Sequence, residues 1–198
     1  MDEPPATREP APGGLALVQD FVNTLHLPEG DDDLGDAAAV GRWLGERGFA
    51  AGVTEAQRRR LLETREHLRV LLGVNTGQPF PDGVAAKLAT LLDDVAIHPV
   101  VSSEGVHLAS TAVGLDGFLA AVLAALVQAT IDGNLRRLKV CRSDQCLWAF
   151  YDSSKNGCGA WCTMRVCGSR AKARAYRERR RDEGIVKPAH QPPGGHPT

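Results

Sequence analysis

The spacing of five cysteines constrains this chain more than any other feature. All five fall between positions 141 and 167 of 198 residues. Four residues separate Cys141 from Cys146, four separate Cys162 from Cys167, and fifteen lie between the two pairs. Two close thiol pairs on a short connection make a tetrahedral four-thiolate site, which a structural zinc ion prefers. Disulfides are the competing reading. The sequence opens without a basic end followed by an apolar stretch, so a reducing, cytoplasmic setting is expected. There, paired cysteines serve metals more often than bridges. Five is also an odd number. One ligand set leaves Cys158 over. A second would use Cys158 in place of Cys167, with three residues between Cys158 and Cys162. The matched four-residue spacers favour Cys141, Cys146, Cys162 and Cys167.

Between the pairs, LWAFYD reads as a strand and SSKNG as a turn. The first pair is therefore expected on a β-hairpin. The second pair leads into VCGSRAKARAYRERRR, rich in alanine and arginine and free of proline, which predicts a helix. A metal ion would pin that helix onto the hairpin. Such an ion has no open position for water, and no HExxH, GxSxG or phosphate-binding glycine loop occurs elsewhere. No enzymatic activity is expected.

The pattern RLKVC…C.W.F.D.S.N…WC.M..CG.RAKAR.YR.R resembles the CGNR zinc finger, a bacterial module named for Cys-Gly-Asn-Arg at its last ligand. The resemblance implies the ligand role for Cys141, Cys146, Cys162 and Cys167, and one structural Zn²⁺ per chain. Here the tetrapeptide reads Cys167-Gly168-Ser169-Arg170. Serine offers no side-chain amide at that position, while the metal ligands are untouched. Upstream, LALVQDFVNTLH followed by DAAAVGRWLGERG resembles the start of the ABATE domain, found before CGNR fingers in stress-responsive bacterial transcription regulators. The implied architecture is mainly α with a small β-hairpin: a helical N-terminal domain over 15–135, then a treble-clef-like zinc finger of hairpin plus helix over 136–183. Polar, proline-rich tails are expected at 1–14 and 184–198.

Charge divides the chain the same way. Residues 1–135 hold 9 Lys+Arg against 19 Asp+Glu, a balance of −10. Residues 136–181 hold 13 against 3, a balance of +10. Four thiolates and one Zn²⁺ would leave about +8. A basic module joined to an acidic one points to an anionic partner, DNA first. Around the last helix, Arg170, Arg174, Arg177 and Arg181 fall within about 40° of one direction. Lys172 lies on the far flank and Arg180 between, while Ala171 and Ala175 are expected to pack against the finger. Arginine forks suit phosphates and guanine edges. The expected function is a DNA-binding regulator whose N-terminal domain senses a small-molecule effector or forms a homodimer. The alternative is an RNA-binding or protein-interaction adaptor with a structural zinc.

The helical half is read from caps and periodicity. Leu15, Val18, Val22 and Leu25 predict the first helix, in which Asp20, Asn23 and Thr24 interrupt the apolar pattern. They suggest either a neighbouring segment to cap or the floor of a ligand pocket. PEGDDDLGD reads as a loop. Asp36 is a predicted N-cap for the second helix and Thr54–Gln57 a capping box for the third. In the third, Leu61, Leu62, Leu68, Leu71 and Leu72 form the buried stripe, and Arg58, Arg59 and Arg60 a solvated face. Asp82 and Asp116 are predicted caps for two more helices. Between those, IHPVVSSEGVHLAST predicts a hairpin carrying His98 and His107, cross-strand neighbours that could hold a metal. The apolar helix from Asp116 to Ile131 reads as the central core helix, short of the about 18 residues of a membrane span.

Overall fold

In a computed structural model, residues 9–50, 52–103 and 105–182 are described. Among the described residues five α-helices precede the cysteines: α1 Leu15–Val22, α2 Ala37–Gly45, α3 Glu55–Gly73, α4 Val84–Leu92 and α5 Gly114–Ile131. A two-residue hairpin, β1 Leu25–His26 with β2 Asp31–Asp32, follows α1. The loop expected at PEGDDDLGD thus contains paired backbone. The hairpin β3 His98–Ser102 with β4 Gly105–Ala109 lies where the sequence predicts it. The last third holds a third antiparallel pair, β5 Leu138–Val140 with β6 Ala149–Tyr151, and helix α6 Ser169–Asp182. The chain is about half helical with small antiparallel strand pairs, as expected.

Local chemistry sets the helix starts. The Asp36 carboxylate accepts from the Ala39 N–H at 2.7 Å. Thr54 and Gln57 close a reciprocal capping box, relieving two otherwise orphaned donors of α3. Asp82 and Asp116 do not cap. Helix α4 starts after Gly83, whose φ of 84° needs no side-chain cap. Helix α5 starts at Gly114, which moves Asp116 into its first turn, where it pairs with Arg60 at 2.9 Å. At the other end of α5, Gly133 has φ 70° and the Asn134 N–H reaches back to the Ala129 carbonyl, a Schellman stop.

Helix α5, at 18 residues and a mean hydropathy of 1.7, is long and apolar enough to cross a membrane by length and composition. This corrects the shorter helix expected from sequence, which began at Asp116. In the fold it is a core helix. Phe118 is fully buried and meets Phe21, Trp43 and Phe49 edge-on at ring distances of 5.0, 5.3 and 5.6 Å. Helix α1 crosses α5 closely: a Cβ added at Gly14 would lie 2.8 Å from the Ala125 Cβ. The same core includes Leu138, Val140 and Ala149, so β5 and β6 are built into the helical half.

Several polar residues sit otherwise than expected. The expected tail 1–14 is described from residue 9, and Ala11 is buried, its N–H donating to Gln19 Oε1 at 2.8 Å. The tail 184–198 lies outside the described residues. Arg58 and Arg60 are not merely solvated: they donate to the Leu34 and Leu91 carbonyls, each at 2.8 Å. Leu62 and Leu71 are only partly buried, because Arg65 and Arg69 share the inward face of α3 at 3 and 4 % exposure. Arg65 forks onto both Asp32 oxygens at 2.7 and 2.9 Å and also donates to Thr24 Oγ1. Glu66 pairs with both Arg65 and Arg69.

Burial pushes the Asp32 carboxyl up, but hydrogen bonds from Arg65 and the Leu34 N–H outweigh it and hold the group below its ordinary 3.8. Near and below that value the unfolded chain binds more protons at this site than the folded one. The contribution to stability is complete above about pH 5 and is lost as pH falls through the depressed folded value. Asp32→Asn should lower stability by about 2 kcal/mol at pH 7, because buried Arg65 loses its fork and keeps only Glu66, which it shares with Arg69. It should also flatten the acid limb of a plot of urea midpoint against pH.

Candidate metal centre and nucleic-acid interface

The metal centre is assembled from three backbone features. Strand β5 delivers Cys141, whose N–H bonds the Trp148 carbonyl at 2.9 Å across the hairpin. The chain then turns, with the Cys146 and Leu147 N–H groups both donating to the Ser143 carbonyl. Leu147 has φ 47°, the left-handed region, and is the one non-glycine residue there among those described. Cys162 and Cys167 come from the approach to α6. Thr163 caps a single π turn, Met164–Gly168, by accepting from the Val166 N–H at 3.1 Å, and α6 continues from it directly.

The loop from β6 to Cys162 is held by a buried ion pair. Lys139 Nζ lies 2.9 Å from Asp152 Oδ2 and donates to the Gly157 and Gly159 carbonyls at 2.6 and 3.1 Å. Asp152 in turn accepts from the Ser154 and Gly159 N–H groups and the Ser154 hydroxyl. Burial raises the Asp152 carboxyl. The bonds from Lys139, Ser154 and Gly159 outweigh burial and hold it well below the usual carboxylate range. A β-strand lysine and an aspartate 13 positions on are not recognisable as a pair from sequence. Their complementarity appears only once the hairpin register is known.

The four Sγ atoms of Cys141, Cys146, Cys162 and Cys167 lie within 4.8 Å of one another, and all four residues are buried. Cys146 to Cys162 and Cys162 to Cys167 measure 3.6 Å. A tetrahedron of Zn–S bonds of about 2.3 Å has edges of about 3.8 Å, so the donor set fits one structural zinc ion. Without a cation the sulfurs cannot share charge. Hydrogen bonds from Cys146 and Cys162 hold the Cys141 thiol down to about 2, and donating to Cys141 pushes Cys146 up to about 12 and Cys162 higher. A dication would stabilise all four thiolates together. Phe150, Trp148 and Trp161 pack around the cluster. Cys158 is exposed and stands outside it. His98 and His107 are not register partners, since His98 faces Ala109 and Val100 faces His107, and both are exposed.

Helix α6 leaves the metal centre with its basic side chains outward. Arg170, Lys172, Arg174, Arg177 and Arg181 are exposed, and Arg180 is half-buried, its guanidinium 5.8 Å from the Tyr176 ring. Ala171 is half-buried but Ala175 is exposed, so of the two alanines expected to pack on the finger, the one in the first turn of α6 is covered. Ser169 donates to the Met164 carbonyl at 3.1 Å, spending its hydroxyl on the π turn. Of the residues singled out on the predicted first helix, Asp20 lies on α1 and is exposed, while Asn23 and Thr24 lie beyond the end of α1 at Val22 and are buried. Thr24 bonds the Phe21 carbonyl, and Asn23 bonds both backbone groups of Ala149.

A hairpin and a helix closed on four buried thiolates define a structural zinc finger. Residues 137–180 match the CGNR zinc finger, and residues 15–133 match ABATE, described as "Putative stress-induced transcription regulator". The second match covers more than half of the chain, which therefore belongs to the ABATE family, with a CGNR finger at its C-terminal end. A comparison with curated proteins gives no match.

Cys162→Ser should abolish stoichiometric zinc and unfold the finger, because binding supplies about 10–16 kcal/mol of folding free energy in comparable zinc peptides. Cys158→Ser should retain one zinc per chain by elemental analysis. Zinc loss in the Cys158 variant would overturn the ligand set.

Proposed function

We propose that this chain is a soluble, cytoplasmic, non-enzymatic transcription regulator whose zinc-held helix α6 binds DNA. The helical half is assigned the sensing or self-association role. The observation that carries the reading is the exposed basic face of α6. Arg170, Arg174, Arg177 and Arg181 recur about one turn apart, and Glu178 is the single acidic residue from Ser169 to Arg181. A merely solvated helix mixes charge signs along its surface. Among the described residues no salt bridge ties α6 to the acidic half, so its guanidiniums are available to an anionic partner. A helix about 10 Å across fits the major groove, and an arginine fork can accept either a phosphate or a guanine edge.

Selection from a random duplex pool tests the reading. The expected result is a preferred sequence bound about 10³-fold or more tightly than bulk DNA. A preference for RNA, or no preference, would favour an adaptor. With about five phosphates engaged, affinity should fall with salt at a log–log slope near −4.5. Arg174→Ala should flatten that slope by about one unit if Arg174 meets a phosphate. If it reads a guanine, the change should relax sequence preference at a cost of about 1–3 kcal/mol. Replacing Arg170, Arg174 and Arg177 together by alanine should leave zinc and fold intact and abolish specific binding. Undiminished binding by that variant would refute the role of α6.

A further inference from the structure

We infer that the metal centre is completed from the helical half: Asn23 on the turn after α1 and Arg69 on α3 are positioning residues for the first thiolate pair. Neither touches a sulfur. Both hold the backbone that carries Cys141 and Cys146.

Among the described residues, no third strand pairs with the outer edge of β6. Asn23 takes that place. Its Oδ1 accepts from the Ala149 N–H at 2.7 Å and its Nδ2 donates to the Ala149 carbonyl at 2.9 Å, with Gln19 adding a longer bond at 3.4 Å. One side-chain amide thus reproduces both bonds of a strand partner, three residues beyond Cys146. At the turn itself, Arg69 donates to the Leu147 carbonyl at 2.9 Å and to the Val22 carbonyl at 2.6 Å. Leu147, next to Cys146, holds the left-handed backbone that a non-glycine residue adopts only under external restraint. One guanidinium therefore fixes the strained turn and ties it to the end of α1. The outer edge of β5 is also held from the helical half: Asn75 Nδ2 donates to the Leu138 carbonyl at 2.8 Å, and the Thr76 hydroxyl lies 2.9 Å from the Val140 carbonyl.

Asn23 and Arg69 are buried, so these bonds form away from competing water. The groups that orient metal ligands typically alter metal affinity 10–100-fold when removed. By reciprocity, any event that moves α1 against α3 changes the hold on zinc, and zinc stabilises that packing in return. This inference rests on the metal site and not on the DNA reading.

The test uses the full zinc-loaded chain and a chromophoric chelator, with no DNA present. Asn23→Ala should release zinc about tenfold faster than the parent. Arg69→Lys keeps a cation beside Glu66 but loses the fork, and should also speed release several-fold. Val40→Ala removes buried core volume on α2, whose main packing partners are α3 and α5, and supplies a variant of lowered melting temperature. It should release zinc at the parental rate. With Co²⁺ in the site, the thiolate charge-transfer and d–d bands should shift in the Asn23 and Arg69 variants and not in the Val40 variant. Parental release rates in both Asn23→Ala and Arg69→Lys would overturn the inference. So would equally fast release from Val40→Ala, since zinc loss would then follow general destabilisation. If Asn23→Ala does not fold, Arg69→Lys decides the outcome by the same measurements.

Discussion

Four sulfurs within 4.8 Å of one another can be ionised together only around a cation, because four thiolates at that separation repel strongly. That requirement organises the C-terminal third. Its own apolar content is small, with Phe150, Trp148 and Trp161 around the cysteines. The metal does the work that a larger core does elsewhere. Because Cys167 lies in the π turn that runs straight into α6, the ion also decides where the basic helix begins and in which direction it leaves.

The helical half does more than precede the finger. Leu138, Val140 and Ala149 share its core, and Asn23, Arg69, Asn75 and Thr76 bond the hairpin backbone from both sides. Side chains there replace missing strands, because a two-stranded hairpin leaves half its backbone groups without partners. The two halves are opposite in charge and continuous in packing. The acidic half fixes the finger through buried neutral and guanidinium groups, and the exposed cations of α6 remain outside that interface.

The sequence made the metal centre legible because four ligands at matched spacing leave few geometries. It made Asp36, Thr54–Gln57 and the Gly133 stop legible because each is a local interaction within a few residues. Asp82 and Asp116 failed as caps for a local reason as well. A left-handed Gly83 and an earlier start at Gly114 took over those helix ends. The long-range polar contacts were not legible. Arg65 and Arg69 are charges on a leucine-rich helix, yet both turn inward because Asp32, Glu66 and backbone carbonyls meet them there. Asn23 broke an apolar pattern, and its partner Ala149 lies 126 positions away. No periodicity connects two such residues. The signal that was present was the interruption itself.

Zinc K-edge X-ray absorption on the purified chain measures the central claim without altering a residue. The account predicts one zinc per chain with four sulfur neighbours at about 2.3 Å and no nitrogen or oxygen in the first shell. A first shell containing nitrogen or oxygen, or fewer than four sulfurs, would contradict it.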